Sequence, residues 1–416
     1  MKILLLNPAG AMGGAERVLL DVAAGVRALN PRHEFALIAA ADGALVEEAR
    51  SRGIPSSVMP FPPVLARLGD AGAGGPAGVA AGRWRTLGRL GLSSPAAVRY
   101  TRSLARAIAG LAPDVVHANG FKMHLLAARA TPEATPLLWH LHDYPSSRPL
   151  MPILLKLHAR RVAAIVANSR SVAADARAVL GASVPIHTVH NGVDLERFAP
   201  HGAVADLDAL ANLPTDDRAV VRVGLVAATA RWKGQDQFLR ALALLPPQMT
   251  VRGYVIGGPI YQTAGSQFTL TELRALAVTL GLAGKVGFTG YLREVAPALR
   301  ALDIVVHASV APEPFGLVIA EAFACGRAVI TSATGGAADL VTAESDALVY
   351  RAADVQALAA AIARLAANPA LRAALGGAGR VTAEQRFDRA RMAAQLNTIY
   401  QGLVSAESDD ALAARS

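Results

Sequence analysis

The sequence predicts an α/β protein made of two doubly wound domains with parallel sheets. Short β-branched or Leu-rich runs alternate with Ala-rich stretches of helical periodicity, a pattern typical of parallel sheets covered by helices on both faces. The alternation lapses between Asn191 and Pro214 and then restarts. With 416 residues, of which 53% are hydrophobic, each half has enough chain to bury its own core.

The predicted strands form two series, one in each half. The first series is Lys2–Asn7, Glu34–Ala39, Asp114–Ala118, Pro136–Leu141 and Ala164–Ala167. The second series is Val220–Val226, Val251–Ile256, Lys285–Phe288, Ile304–Ala308 and Ala328–Thr331. A helix at Ala15–Leu29 follows the first strand, and the Gly- and Pro-rich stretch Pro60–Pro95 is predicted to be a long loop. The expected domains are residues 1–192 and 193–385, followed by a helix at about 386–404 and a frayed polar tail at 405–416.

Composition limits the class of protein. Cys325 is the only cysteine, which excludes an intramolecular disulfide and a cysteine-built metal site and fits a reducing compartment. The apolar part of Met1–Asn7 is too short for a signal peptide, and no run reaches the ~18 apolar residues of a membrane-spanning helix. We therefore expect a cytoplasmic protein that at most touches the inner membrane surface.

The net charge of +9 indicates an anionic partner or, alternatively, the arginine bias of a GC-rich genome. Nucleic acid is the least favoured partner, because aromatic residues are 5% and no basic stretch is interleaved with them. Anionic lipid and phosphorylated small molecules both remain possible classes of partner.

The loops after the strands are the places to look for chemistry, because ligands of such sheets bind at the carboxyl ends of the strands. The first is Gly10–Glu16, in which Gly13 and Gly14 let the backbone approach a ligand and the following helix offers N–H groups to an anion. A plain strand-to-helix turn is an equal alternative. The GxGxxG spacing of a dinucleotide-binding oxidoreductase is absent.

Two further loops carry candidate ligand groups. His140 and His142 share a face at the end of a predicted strand. Without a third ligand nearby, a polar contact from His142 to a ligand is favoured over a metal site, and a single histidine satisfied by a neighbouring carboxylate is the alternative. Arg231 and Lys233 follow the first strand of the second half and suit a phosphate or diphosphate. Solvated surface cations are the alternative, which the neighbouring Trp232 makes less attractive.

The strongest signal is the segment from Glu313 to Glu321, which follows a buried strand. Gly316 lies between the two carboxylates and a helix begins near Leu317. The segment therefore offers a carboxylate for hydroxyl groups at each end and an anion site between them, which suits a nucleotide sugar. Another glycine turn, Gly335-Gly336, follows the next strand.

This segment resembles the signature of family 4, the retaining glycosyltransferases of the GT-B fold. Further motifs occur in the family's order along nearly the whole chain: Gly13-Gly14-Ala15-Glu16, His142-Asp143, Asn168-Ser169, Asn191-Gly192-Val193-Asp194, Trp232-Lys233-Gly234 and Gly335-Gly336.

The resemblance implies two Rossmann-like domains facing across a cleft, with the acceptor mainly on the first, the nucleotide sugar mainly on the second, and a last helix near Phe387–Tyr400 that crosses back to the first. It also implies roles for particular residues. His142 and Glu313 would contact the donor sugar, and Glu321 would hold the ribose hydroxyls. Backbone groups would meet the sugar and diphosphate at Phe315, Gly316 and Leu317, and the base would lie against Tyr291 and Leu292.

The chain departs from the family most clearly at one position, and more mildly at Asp339, where the family usually has a glutamate. Ala228 stands where the family commonly has an arginine, five residues before the lysine. Either Arg231 replaces that arginine at the diphosphate or Lys233 acts without it.

The expected activity is that of a retaining hexosyltransferase that moves a sugar from a nucleoside-diphosphate sugar to a hydroxyl acceptor in cell-surface glycan or glycolipid synthesis. The nucleotide sugar is a co-substrate and no cofactor is expected. No Asp-x-Asp pair stands at a strand end, so we predict no obligatory metal. The alternatives are a non-catalytic nucleotide-sugar-binding protein and a nucleotide-sugar epimerase or phosphorylase of the same fold.

The expected acceptor is a sugar or a lipid-linked molecule. Two basic stretches with leucines among them support a membrane-proximal acceptor, because basic amphipathic segments lie on anionic membranes. They are the arginines from Arg83 to Arg106 and the segment Pro152–Val162. A solvated helix face is the alternative.

Overall fold

The computed structural model describes residues 1–66, 79–148, 150–214, 220–259 and 265–413. The chain divides into two compact units, which are described one at a time. The first unit is Met1–Gly192 together with Arg389–Ser416, and the second is Val193–Asp388.

The first unit is built on a seven-stranded parallel sheet. Its strands are β1 (Lys2–Asn7), β2 (Glu34–Ala39), β3 (Ser56–Val58), β4 (Val115–Asn119), β5 (Leu137–Leu141), β6 (Ala164–Ala167) and β7 (Ile186–Thr188). In space they lie in the order β3-β2-β1-β4-β5-β6-β7, so the direction of winding reverses between β1 and β4. Such a reversal is the point at which doubly wound sheets bind ligands.

Helices cover both faces of this sheet. They are α1 (Gly14–Leu29), α2 (Ala44–Ser51), α3 (Pro63–Ala66), α4 (Val79–Leu111), α5 (Phe121–Ala130), α6 (Met151–His158) and α7 (Arg170–Leu180). Alternate side chains of β1 enter opposite cores: Leu4 and Leu6 join one, and Ile3 and Leu5 join the other. Because both faces are buried, the strand is a continuous apolar run in the sequence.

The second unit repeats this design on a six-stranded parallel sheet. Its strands are β8 (Val221–Val226), β9 (Val251–Ile256), β10 (Val286–Gly290), β11 (Ile304–His307), β12 (Ala328–Thr331) and β13 (Ala347–Val349). Their spatial order is β10-β9-β8-β11-β12-β13, with the reversal between β8 and β11. The helices are α8 (Leu207–Leu210), α9 (Gln235–Ala243), α10 (Leu270–Thr279), α11 (Ala296–Ala301), α12 (Leu317–Ala324), α13 (Val355–Ala367) and α14 (Pro369–Arg386).

The last helix, α15 (Arg389–Ala413), is part of the first unit. It packs on α1 so closely that a Cβ on Gly25 would lie 2.5 Å from the Ala393 Cβ. Met392, Leu396 and Tyr400 are buried in the core that α1 shares with one face of the sheet. The helix continues beyond Val404, where the sequence predicts a frayed tail, up to Ala413.

Two sequence expectations need correction. The outer strands β3, β7 and β13 were missed, because three residues are too few for a period of two to be recognised. The long loop predicted at Pro60–Pro95 is wrong at α3 and again from Val79 onward, where α4 runs through Pro95. Its Ala, Leu and Arg content supports a helix despite the interrupting glycines. Residues 67–78 of that prediction lie outside the described residues.

Within the described ranges, no single helix is long and apolar enough to cross a bilayer. Taken together, α13 and α14 are long and apolar enough, but the chain bends by 103° between them.

The packing of α14 predicts opposite effects for two adjacent glycines. A Cβ on Gly376 would collide with the backbone carbonyl of Gly326, whereas Gly377 is exposed with nothing within 4 Å. We expect Gly376→Ala to lower the free energy of unfolding by about 1–3 kcal/mol through overpacking. Gly377→Ala should raise it by about 0.5–1 kcal/mol, because alanine favours the helix. Calorimetry of both variants measures the difference, and equal stability would contradict the packing described.

Candidate active site

The Lys233 loop (residues 227–234) and the Glu313 loop (residues 308–316) follow the neighbouring strands β8 and β11. Because the carboxyl ends of parallel neighbours lie at the same edge of a sheet, the two loops meet. Lys233 Nζ lies 2.6 Å from Glu313 Oε2, and the side chains are 17% and 9% exposed. The structure thus brings together a cation and a carboxylate that are 80 residues apart in the sequence.

A glycine allows this close approach. Gly234 has φ 75°, and a Cβ there would collide with the carbonyl oxygen of Ala308. The Val310 N–H donates to the Trp232 carbonyl at 2.9 Å, which ties the two loops together. The Lys233 ammonium also lies 4.2 Å from the centre of the Trp232 ring, so the indole supports the lysine side chain.

Glu313 is a buried carboxylate with several donors. Besides Lys233, the Ser309 hydroxyl donates to Oε2 at 2.9 Å, and His307 Nε2 lies 3.4 Å from the same oxygen. Burial alone would raise the pKa of Glu313, but the Lys233 charge and the His307 contact outweigh it and hold the pKa well below its ordinary value. Glu313 is therefore ionised at neutral pH.

The Gly335-Gly336 turn fixes the backbone at Glu313. The Glu313 N–H donates to the Thr334 carbonyl at 3.1 Å, and the Gly336 N–H donates to the Glu313 carbonyl at 2.6 Å. The glycine turn predicted after β12 therefore lies directly against the Glu313 loop.

The loop ends at Gly316, the N-cap of α12. Its φ of 90° lies in the left-handed region, which favours glycine. The Phe315 side chain is buried and meets Phe387 edge-on, so only its backbone is available to a ligand. Leu317 starts α12, whose N-terminus carries partial positive charge, and Glu321 is buried one turn further on.

Arg231 does not join the Lys233–Glu313 group. Its guanidinium pairs with Glu272 at 2.8 Å and stacks 4.3 Å from the Phe268 ring centre. Glu272 is also the residue that completes the N-terminal capping box of α10. In this arrangement the charge of Arg231 is paired with a carboxylate of α10, and whether Arg231 or Lys233 alone serves in place of the arginine missing at Ala228 stays a prediction.

Tyr291 and Leu292 follow the edge strand β10. The Tyr291 side chain is 58% exposed, whereas Leu292 packs partly against the core. An exposed ring at the carboxyl edge of a sheet is suited to lie against a planar group.

In the first unit, the Gly13-Gly14 turn begins α1, and a Cβ on Gly14 would meet nothing within 4 Å. Glu16 Oε2 accepts from the Gly13 N–H at 3.1 Å. The Asn7 amide donates to Glu16 Oε1 at 3.4 Å, and Asn119 donates to Asn7 Oδ1 at 2.8 Å. Polar side chains therefore line the carboxyl ends of β1 and β4, at the switch point of the sheet.

His140 and His142 lie at the end of β5, with ring centroids 4.0 Å apart. Burial lowers the pKa of His142 to about 4 and holds the pKa of His140 well below its ordinary value, so both rings are neutral at pH 7. Their Nε2 atoms are buried and have no hydrogen-bond partner among the described residues. Across all the residues that the structure describes, no three His, Cys, Asp or Glu side chains are grouped so that they could hold a metal ion.

Sequence reasoning missed four residues that belong to these groups: His307, Ser309, Asn7 and Asn119. Each is a polar residue at or just beyond the carboxyl end of an apolar strand. That position is the signal that could have identified them.

The chain matches two family models. The model for glycosyl transferases group 1 matches residues 214–382, and the model for glycosyltransferase family 4 matches residues 12–197.

Individual proteins match over similar lengths. The lipopolysaccharide core biosynthesis mannosyltransferase LpcC of Rhizobium leguminosarum bv. viciae is 30% identical over 362 residues, which are 85% of this chain and 94% of that protein. The D-inositol 3-phosphate glycosyltransferase of Xylanimonas cellulosilytica is 34% identical over 245 residues, which are 57% of this chain and 56% of that protein. The structure of Anabaena HepE in complex with UDP-glucose has a TM-score of 0.75 at 25% identity and covers 97% of this chain and 100% of that one. These matches confirm the predicted fold class.

The buried histidines of the first unit predict sensitivity to acid. Burial lowers the pKa of His117 and His124 to about 3 and that of His142 to about 4, whereas an unfolded histidine titrates near ~6.5. Below that pH the unfolded chain binds more protons than the folded one. The free energy of unfolding should therefore decrease as the pH is lowered, by about 1.4 kcal/mol per pH unit for each such histidine.

Melting temperatures measured from about pH 7.5 to pH 5 test this slope, which begins near the unfolded value of ~6.5. His142→Gln should make it shallower, and His187→Gln should leave it unchanged, because His187 is exposed. A melting temperature independent of pH over this range would contradict the burial of these neutral rings.

Proposed function

Since the chain belongs to the group 1 and family 4 glycosyltransferases, and is therefore a glycosyltransferase, we propose that it transfers a hexose from a nucleoside-diphosphate sugar to a hydroxyl acceptor with retention at the anomeric carbon. The product is a cell-surface glycan or glycolipid. The names of its relatives support this: LpcC is a lipopolysaccharide core mannosyltransferase, and HepE binds UDP-glucose.

The observation that carries the proposal is the Lys233–Glu313 pair at the carboxyl edge of the second sheet. Glu313 is held ionised in a buried position, and the Lys233 ammonium balances its charge at 2.6 Å. A buried carboxylate costs free energy unless it is paired and hydrogen-bonded. Its presence beside a glycine bend and a helix N-terminus supports a binding site for hydroxyl and phosphate groups.

The proposed chemistry follows from charge. Cleavage of the sugar–phosphate bond leaves negative charge on the diphosphate and positive character on the sugar. Lys233 and the first N–H groups of α12 would stabilise the diphosphate as a leaving group. Glu313 would accept hydrogen bonds from sugar hydroxyls, and Glu321 from the ribose.

Retention without a nucleophile on the enzyme favours substitution on one face of the sugar. In this scheme the departing phosphate oxygen takes the proton of the acceptor hydroxyl as the new bond forms. His142, neutral at pH 7, would contribute a hydrogen bond to the sugar rather than a charge. The scheme needs neither a divalent metal nor a cofactor.

Replacing the two carboxylates should separate binding from turnover. We expect Glu313→Gln to keep the rise in melting temperature caused by the matching nucleoside diphosphate, because Lys233 and α12 are intact. Its transfer rate should fall by roughly 100-fold or more, since an interaction with the reacting sugar is weakened. Glu321→Gln should instead lose most of the nucleotide-induced rise. The measurements are a thermal-shift panel of nucleoside diphosphates and turnover of the nucleotide sugar that the panel identifies.

Glu344→Gln is the matched control, because Glu344 is an exposed carboxylate of the second unit that pairs with Arg364. It should leave both nucleotide binding and turnover unchanged. Should no nucleoside diphosphate raise the melting temperature of the unmodified protein, the donor site is wrongly assigned. Binding without transfer and without slow donor hydrolysis would favour the non-catalytic alternative.

The proposal extends to a lipid-linked acceptor on an anionic membrane. On α6, Ile153 and Leu157 are 64% and 72% exposed and lie one turn apart, while Leu155 is buried. Lys156 and Arg160 are exposed beside them. Two apolar side chains flanked by cations fit the interface of an anionic bilayer.

Exposed arginines on α4 add positive charge to the first unit. Three exposed arginines recur at helical spacing on its C-terminal half: Arg99, Arg102 and Arg106. The side chains of Arg83, Arg85 and Arg89, which belong to the same sequence expectation, lie outside the described residues.

We expect the double variant Ile153→Glu/Leu157→Glu to lose binding to vesicles that contain phosphatidylglycerol at low salt. The apolar contact is lost and like charges repel. Vesicle sedimentation measures the bound fraction, with zwitterionic vesicles as the lipid control. Val278→Glu, which changes an exposed apolar residue of the second unit, should bind like the unmodified protein. If the unmodified protein does not sediment with anionic vesicles, the membrane part of the proposal is wrong.

A further inference from the structure

A chain of hydrogen bonds enters the first sheet from α15. Tyr400 Oη lies 2.6 Å from His117 Nδ1, and His117 Nε2 lies 3.2 Å from His140 Nδ1. The three side chains are at most 1% exposed. The His140 ring then packs on His142 with 4.0 Å between ring centroids.

The burial of these groups fixes the direction of the chain. Among the described residues, the Tyr400 hydroxyl has one polar partner, His117 Nδ1. If His117 donated to Tyr400, the Tyr400 hydroxyl hydrogen and the His140 Nε2 acceptor would both be buried without a partner among the described residues, whereas the opposite direction leaves only the His140 Nε2–H unpaired. Tyr400 therefore donates to Nδ1, and His117 carries its proton on Nε2.

The same reasoning applies to the next ring. His117 Nε2–H donates to His140 Nδ1, so the proton of His140 lies on Nε2. Burial lowers the pKa of both histidines, which agrees with neutral rings that each hold one proton. One tyrosine hydroxyl thereby sets the tautomers of two histidines on two strands.

Burying the polar groups of Tyr400, His117 and His140 in the interior of a sheet costs free energy. His117 lies in register with Leu5 of β1, in a core that is otherwise apolar. Burying an imidazole there costs free energy that an aliphatic residue would not. A phenylalanine at position 400 would fill the same core, so packing alone does not explain the hydroxyl.

We infer that Tyr400 is a positioning residue: through His117 it holds His140 in one tautomer and orientation, and the fixed His140 ring orients His142 for its contact with the sugar. This inference rests on the proposed function for the role of His142. The direction of the hydrogen-bond chain does not depend on that function.

Nitrogen-15 NMR of protein labelled at histidine tests the direction without any substrate. We expect His117 and His140, each assigned by its loss in a His→Gln variant, to be neutral and protonated on Nε2. In Tyr400→Phe the His117 Nδ1 loses its donor, and both rings should become mixtures of tautomers. The spectrum of the unmodified protein decides the direction even if the variant does not fold. A proton on Nδ1 of His140 would overturn the inference.

Kinetics test the positioning role. With the nucleotide sugar identified as above, Tyr400→Phe should lower kcat by roughly tenfold and leave the donor KM within about twofold, because ring orientation and not donor affinity is changed. Tyr350→Phe is the matched control, since the Tyr350 hydroxyl is buried without a hydrogen-bond partner in the described part of the chain. It should leave kcat unchanged.

The two claims fail separately. Unchanged kcat in Tyr400→Phe, or an equal loss in Tyr350→Phe, would overturn the positioning role. Predicted tautomers in a protein that transfers no sugar would count against the proposed function and still support the hydrogen-bond chain.

Discussion

The second unit depends on the balance of one buried charge pair. The ionised Glu313 is stable at the edge of the sheet because Lys233 supplies the opposite charge and Ser309 donates a hydrogen bond. Removing either charge would leave the other without its counter-ion, which destabilises a buried pair. The local glycines follow from this pair: Gly234 lets the two loops touch, and Gly316 turns the chain into α12.

In the first unit, the polar groups at the carboxyl edge of the sheet include neutral side chains that are buried. Its carboxyl edge carries asparagine and histidine side chains, and burial keeps the His140 and His142 rings uncharged. A neutral ring exchanges hydrogen bonds with hydroxyl groups without attracting a counter-ion. The polar group of the first unit thus includes two neutral rings, whereas the group around Glu313 in the second unit is charged.

The sequence predicted the central strands because each is buried on both faces and appears as an uninterrupted apolar run. It missed β3, β7 and β13, since short outer strands are only partly covered and their pattern fades. Glu313 and Lys233 could be named from their positions after strands, but their contact could not, because it depends on β8 and β11 being neighbours. The direction of the Arg231 side chain depends on Glu272, which lies 41 residues away and belongs to another helix.

The return of α15 has a consequence for biosynthesis. The second unit is one continuous stretch, so all of it has left the ribosome before the first unit receives its last piece. Until then Ile3, Leu5 and Val22 lack the apolar cover that Met392 and Leu396 provide. During synthesis this apolar surface stays exposed while the residues of the second unit are made, and exposed apolar surface promotes aggregation. A chain truncated before α15 would keep this surface exposed.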